Sequence, residues 1–230
     1  MISDLIAELP DNTINVIDVG CYTGQVTKEF VAGLPMKSIF SIGIDPIEHA
    51  KVYAFTHYVQ CAVRNCEATE ANFYQYSDPM CSSLLKMTEN ITHDPAERES
   101  KWFGGHDFER LLNTKTVPVR SLASIIEEYN LSDSTIHFLK IDAQGCDMEV
   151  FLSLGKYINN CLFVQMETIT SKSKDITLYE GQSLYEDEKL IMEAHGFEFF
   201  SMKDYGALGS SYEGDVVYVN SLIKKNVYLQ

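Results

Sequence analysis

The sequence predicts an α/β domain on a largely parallel sheet, and three observations carry that prediction. Short β-branched runs alternate with stretches of helical periodicity. Strand, helix and strand recur within some 30 residues, as in the unit that builds a parallel sheet. And 230 residues, 45% of them hydrophobic, suffice for one sizeable core, so residues 1–230 read as a single domain.

The elements follow in order. "ISDLIAEL" places Ile2, Leu5, Ile6 and Leu9 at helical spacing before Pro10, an N-terminal helix within residues 1–12. "INVIDVG" is a buried strand stopping in glycine. "GQVTKEFVAGL" returns to helical period through Val26, Phe30, Val31 and Leu34, and "SIFSIGID" is the next strand. "YVQCAV" and "ANFYQY" read as strands. From Ser77 to Thr114 no period is sustained, and the segment, with its "KWFGGHDF" cluster, reads as a long loop and candidate lid. "KTVPVR" resumes the strands, and Ser121 is placed to cap the helix "SLASIIEEYNL". The strand "TIHFLKID", a helix through Met148, Val150, Phe151 and Leu154, and the strand "NCLFVQME" come next. The helix "SLYEDEKLIMEAHG" and the strands "FEFFSM" and "GDVVYVN" close the chain.

Charge and cysteine usage narrow the function. Eighteen Lys and Arg against 33 Asp and Glu give a net charge of −15, which argues against a nucleic-acid partner. The six cysteines form no Cys-x-x-Cys pair, so a zinc site is not expected, and Cys21 and Cys161 read as small apolar residues. The first residues lack a basic signal-peptide region, and no run approaches the ~18 apolar residues of a membrane helix. A soluble, reducing, cytoplasmic setting is the expectation.

Three strand ends carry chemistry. In "VIDVGCYTGQVTKEF", Asp18 precedes the turn Gly20-Cys21-Tyr22-Thr23-Gly24, and a helix follows. Glycines there let a ligand approach the backbone, beside free N–H groups of the helix start. Tyr22 stands where a dinucleotide fingerprint has its second glycine, which disfavours a nicotinamide oxidoreductase. Asp45 ends the next strand, where an acid accepts hydrogen bonds from ribose hydroxyls; the competing reading is a cap for a "PIEHAKVY" helix. Asp142 ends a third hydrophobic run, with Gln144, Gly145 and Asp147 on the turn behind it. Asp147 also suits a plain role in a helix's first turn.

These blocks, "DVGCYTG", "GIDP", "CSSL", "VPVRSL", "FLKIDAQGCDMEV", "VQME" and "GDVVYVN", resemble the FkbM-type S-adenosylmethionine-dependent methyltransferases from about Ile14 to Asn220. The resemblance implies a Rossmann-like class I methyltransferase fold, a seven-stranded, mostly parallel sheet with helices on both faces and "GDVVYVN" antiparallel. It implies S-adenosyl-L-methionine as cofactor and O-methylation of a sugar or other small hydroxyl-bearing metabolite. On it, Asp18, Gly20, Cys21, Tyr22 and Gly24 match the cofactor turn and Asp45 the ribose acid. Ser82 and Ser83 match a serine pair near cofactor and substrate, and Lys140 with Asp142 the strand-end motif. Gln144 and Asp147 stand where many members have glutamates, and Ala123 replaces a common aspartate.

Methylating a hydroxyl calls for a base or a bound metal, because a hydroxyl is a poor nucleophile near neutral pH. Asp142 is the candidate base or metal ligand and also a cofactor contact, with Asp147 as a further catalytic candidate. Lys140, His93 and His106 are weaker alternatives, and Lys140 is expected to face away from Asp142. A divalent ion held by Asp142 with Asp147 or Glu167 stays open, since acidic residues alone do not establish one. A noncatalytic cofactor- or partner-binding module is the competing function. Nucleic-acid methylation is disfavoured by charge and by the absence of an Asn/Asp-Pro-Pro-aromatic tetrad.

Overall fold

The computed structural model describes residues 2–88, 110–170, 177–204 and 213–222. The apolar runs of the sequence become the strands of a central sheet. β1 (Thr13–Val19), β2 (Ser38–Ile44), β3 (His57–Val59), β7 (Ile136–Ile141) and β8 (Cys161–Ile169) pair in parallel in the order β3-β2-β1-β7-β8. β10 (Glu213–Asn220) then pairs antiparallel with β8, and β9 (Phe197–Asp204) forms the edge beyond it. The seven-stranded, mostly parallel sheet with "GDVVYVN" antiparallel is therefore as the family resemblance implied. All six residues of β7 are buried, as expected of a parallel strand covered on both faces.

Two cores, one on each face, confirm that covering. Ile14, Val16, Phe138 and Phe163 pack with Ile6 of α1 (Ile2–Ala7) and with Leu34 and Phe30 beside α2 (Gln25–Ala32); the Phe30 and Phe138 rings stack at 4.3 Å. Ile17, Val19, Leu139 and Val164 pack on the opposite side. There they meet Ile125 and Ile126 of α3 (Leu122–Glu128), Val150 and Phe151 of α4 (Asp147–Leu152) and Met192 of α5 (Tyr185–Ala194). The Ser121 hydroxyl caps α3 by accepting the Ser124 N–H at 3.1 Å, as its position in the sequence suggested.

Four local readings change. "YVQCAV" is not one strand: it breaks after β3, and β4 (Ala62–Val63) leaves the main sheet. β4 joins a second, three-stranded sheet, β4-β6-β5, with β5 (Glu70–Tyr76) and β6 (Leu111–Arg120) antiparallel. "PIEHAKVY" is not helical. The stretch from Ser77 to Thr114 is not one irregular loop. β6 already begins at Leu111, and residues 78–88 fold back on β5, with Ser83 bridged to Tyr74 and Met87 to Tyr179. Residues 89–109, including His93 and His106, lie outside the described residues. Lastly, Val26 is 39% exposed and Thr27 takes the inner position on α2.

The chain order defines where a ligand can sit. From β1 it moves outward to β2 and β3, then returns to lay β7 on the other side of β1. That reversal opens a crevice at the carboxyl ends of β1 and β7, the usual ligand site of an open α/β sheet.

The packing predicts a strong core dependence. Phe151 is fully buried and meets the Phe197 ring edge-on at 5.6 Å. Phe151→Ala should cost about 3–5 kcal/mol in urea denaturation. Met36→Ala, at a residue 91% exposed, should leave the midpoint within error.

Candidate functional site

The register brings the acids together. Val19 pairs with both Ile44 and Ile141, and Ile141 with Met166. Gly20, Asp45, Asp142 and Glu167 are the next residues of those four strands, and all border one cleft of about 660 Å³ at the sheet's carboxyl edge. A volume of this size is ordinary for a small-molecule site.

Lys140 ties the centre of that edge. Its ammonium is buried 3.3 Å from Asp18 Oδ1 and 3.2 Å from Asp142 Oδ2, and it donates to the Gly20 carbonyl at 3.0 Å. Lys140 does not face away from Asp142. Strand neighbours alternate, but residues two apart share a face, so Lys140 and Asp142 must lie together. Burial alone would pull the ammonium down; Asp142 and Asp18 outweigh it and hold Lys140 above the ordinary lysine range. Asp18 is turned inward, where Oδ2 accepts the Thr27 hydroxyl at 2.6 Å.

The glycines of the first turn make room for protein atoms. Gly20 has φ +68°, and a Cβ there would stand 1.8 Å from the Asp142 carbonyl oxygen. Gly24, with φ +78°, faces the Phe55 ring and Tyr53. Close ligand approach is thus not what these two positions require; the meeting of two strand ends and the 53–55 segment is. Cys21 and Tyr22 line the cleft between them, the Cys21 thiol pushed up to about 12 by burial.

Asp45 caps no helix. Its Oδ2 accepts the Tyr22 N–H at 2.9 Å and its Oδ1 the Ile47 N–H at 2.9 Å, so the carboxylate staples the β1 turn to the segment after β2. His49 lies 3.5 Å from Oδ1 and packs edge-on against the Tyr22 ring at 4.6 Å. Lys51 donates to the Tyr22 carbonyl. Each carboxylate oxygen keeps a further lone-pair site, so Asp45 can still accept from a ligand diol.

On the other side of Asp142 sits a turn held by side chains. Gln144, at φ +50°, points one amide nitrogen at Asp142 Oδ1 and Glu167 Oε2, both at 2.8 Å. Its Oε1 accepts the Tyr179 phenol at 2.7 Å, and its carbonyl accepts the Ser83 hydroxyl at 2.6 Å. Ser82 lines the cleft and accepts the Tyr76 N–H at 3.2 Å, whereas Ser83 is buried beneath. Asp147 is buried too, its carboxylate accepting the Ala143 and Gly145 N–H groups at 3.2 and 3.1 Å; it shapes the turn and does not border the cleft. Ala123 packs on the core. Among the described residues, no three His, Cys, Asp or Glu side chains are grouped to hold a metal ion.

Sequence reasoning undervalued Glu167 and Tyr179. Glu167 entered only as a metal ligand, although "VQME" ends on an acid just as "KID" does. Tyr179 carried no signal, because only the fold brings it beneath Gly145 and Gln144.

A family model, that of the methyltransferase FkbM domain, matches residues 18–199. The chain belongs to this family. The FkbM domain thus spans the sheet from the end of β1 to β9, and the chain is a methyltransferase. No curated relative matches it. Among solved structures it is similar to a putative ribosomal RNA methyltransferase from Plasmodium falciparum. There the TM-score is 0.42 at 13% identity, over 95% of this chain and 91% of that one. It is also similar to the Methanococcus jannaschii fibrillarin pre-rRNA processing protein, with a TM-score of 0.41 and 12% identity over 94% and 72% of the two chains. The plantazolicin methyltransferase BpumL, in complex with SAH, gives 0.39 and 11% over 90% and 76%. No helix among the described residues is long and apolar enough to cross a membrane.

Two measurements probe this electrostatic arrangement. Lys140→Met leaves Asp18 and Asp142 uncompensated beside each other, and should cost about 3–5 kcal/mol in chemical denaturation. Burial, then Asp142 and Glu213, push the Glu167 carboxyl well above its ordinary 4.5. The folded chain therefore holds that proton more tightly. Its stabilisation is full below 4.5 and is lost as pH rises through the raised value. Glu167→Gln should match the wild type near pH 4 and exceed its stability by a margin that grows as pH rises above 4.5, read from urea midpoints.

Proposed function

We propose that this chain transfers a methyl group from S-adenosyl-L-methionine to a hydroxyl of a small acceptor such as a sugar. The observation that carries the reading is the cleft itself. It sets a hydrogen-bond-accepting carboxylate, Asp45, at one end and a carboxylate pair, Asp142 and Glu167, at the other.

The residues present fit such a cofactor. Asp45 offers acceptors to a ribose diol beside the Tyr22 turn, and α2 begins at Gly24 without a side-chain cap. Ile47, Val63, Phe73 and Leu84 supply apolar wall, and the acids at the far end suit a positively charged sulfonium. When bound, the cofactor supplies an electrophilic methyl group. The chain's own work is to hold the acceptor oxygen in line, exclude water and take up the hydroxyl proton. Lys140 is no base, since it stays protonated between two acids. The proton leaves toward the carboxylate edge of β7 and β8. A wall this acidic disfavours a polyphosphate acceptor, which supports a small-molecule substrate.

Calorimetry with S-adenosylmethionine or S-adenosylhomocysteine should show binding, and Asp45→Ala should weaken it roughly 10- to 100-fold, the scale of one lost hydrogen bond to a charged acceptor. No binding by the folded wild type would sink the cofactor reading. Extracts incubated with methyl-labelled cofactor should yield labelled methyl ethers by mass spectrometry. Label on nitrogen or carbon alone would overturn the hydroxyl assignment.

A further inference from the structure

We propose that Glu167 receives the proton of the acceptor hydroxyl, held at the cleft wall by the side-chain amide of Gln144. This rests on the methyl-transfer reading and assigns the proton within it.

Geometry selects Glu167 over its neighbour. Asp142 and Glu167 occupy adjacent strand ends, one residue past the Ile141–Met166 pair, and both border the cleft. Asp142 is committed: Oδ2 is ion-paired with Lys140 at 3.2 Å and Oδ1 accepts from Gln144 at 2.8 Å. A proton placed on Asp142 breaks a buried ion pair. Glu167 Oε2 accepts from the neutral Gln144 amide, also at 2.8 Å, and a proton there disrupts no ion pair among the described residues. Gln144 cannot turn away. Its backbone is left-handed, the Ser83 hydroxyl grips its carbonyl, and turning the amide over would set its oxygen against two carboxylates and its nitrogen against the Tyr179 phenol. One NH₂ group thus spans both acids, a hydrogen to each.

The surroundings of Glu167 then set when it can act. Facing it are Asp142 from the end of β7, Asp147 from α4, and Glu213 and Asp215 from β10. The Cys81 thiol and the Tyr179 phenol face it from the segments crossing the cleft. Burial and these acids raise the carboxyl's hold on a proton, and the positive charge of a sulfonium entering the cleft opposes that rise. Glu167 is thus a stronger base than an ordinary carboxylate, and a sulfonium beside it favours the ionised form that can take up a proton. In the transfer the acceptor O–H bond breaks and its proton goes to Glu167. The acceptor oxygen forms the new bond to the methyl carbon as the carbon–sulfur bond breaks, leaving its electron pair on sulfur. The positive charge on sulfur and the negative charge on Glu167 disappear together.

Titration calorimetry in buffers of different ionisation enthalpy counts the protons released on binding and needs no acceptor. S-adenosylmethionine carries the sulfonium, and S-adenosylhomocysteine does not. The former should release more protons than the latter near neutral pH, the excess reaching at most about one proton per site. The excess should vanish in Glu167→Gln. In Asp142→Asn it should persist but move to lower pH, because one neighbouring negative charge is gone. Binding with equal proton release for both ligands overturns the assignment. So does an excess that survives in Glu167→Gln and disappears in Asp142→Asn, which would make Asp142 the titrating base. Absence of binding by the folded wild type is a different result and sinks the cofactor reading together with this inference.

Discussion

The arrangement at the sheet's carboxyl edge depends on one buried cation. Lys140 sits on β7, yet its ammonium reaches Asp18 of β1, the Gly20 carbonyl of the turn behind β1, and Asp142 at its own strand end. Those three contacts lie across the point where the strand order reverses, which is where the crevice opens. Two strands of opposite sequential neighbourhood, already paired and packed through Val19 and Ile141, are tied there by charge as well. Buried ion pairs seldom add net stability over a well-packed apolar substitute, because desolvation offsets most of the attraction. What the pair does supply is a fixed geometry. Gly20 can pass within a Cβ's reach of the Asp142 carbonyl only if both turns keep their places.

The strand-end acids were legible in the sequence because a buried parallel strand leaves a simple trace. An apolar run that stops on Asp or Gly marks the carboxyl edge, and three such runs predict three side chains in one crevice. Asp45 and Asp142 border it, while Asp18 lies two residues earlier, in register with Lys140, and is turned under the edge to meet Thr27 and Lys140. That two-residue step, which keeps Asp18 on the same face of the sheet but inside its edge, is what separates a cleft carboxylate from a structural one. The same period explains why Lys140 was misplaced: counted correctly, positions 140 and 142 share a face. Other features were not legible at all. The fold-back of residues 78–88 on β5 comes from a stretch with no periodicity of its own, and the Tyr179 phenol reaches Gln144 and the Cys81 carbonyl across 35 and 98 residues of sequence. The glycines were read as ligand clearance, yet the neighbours that demand them come from 53–55 and 142, which no local pattern reveals.

Gln144 joins the structural lock to the chemistry. On one side its amide meets Asp142, whose charge Lys140 already balances; on the other it meets Glu167, for which burial makes charge costly. A neutral donor between two acids lets them stand close without demanding a permanent cation there. Replacing it by a second ammonium would fix both carboxylates as anions and remove any reason for a proton to return. Replacing it by an acid would crowd three carboxylates into one corner of the cleft. The amide is the residue type that leaves one acid spent and the other able to change its charge, and its place on a left-handed turn gripped by Ser83 and Tyr179 keeps that division from drifting. The costly features of this edge, like charges at neighbouring strand ends and a half-buried carboxyl among other acids, are thus concentrated where a transient positive charge would relieve them.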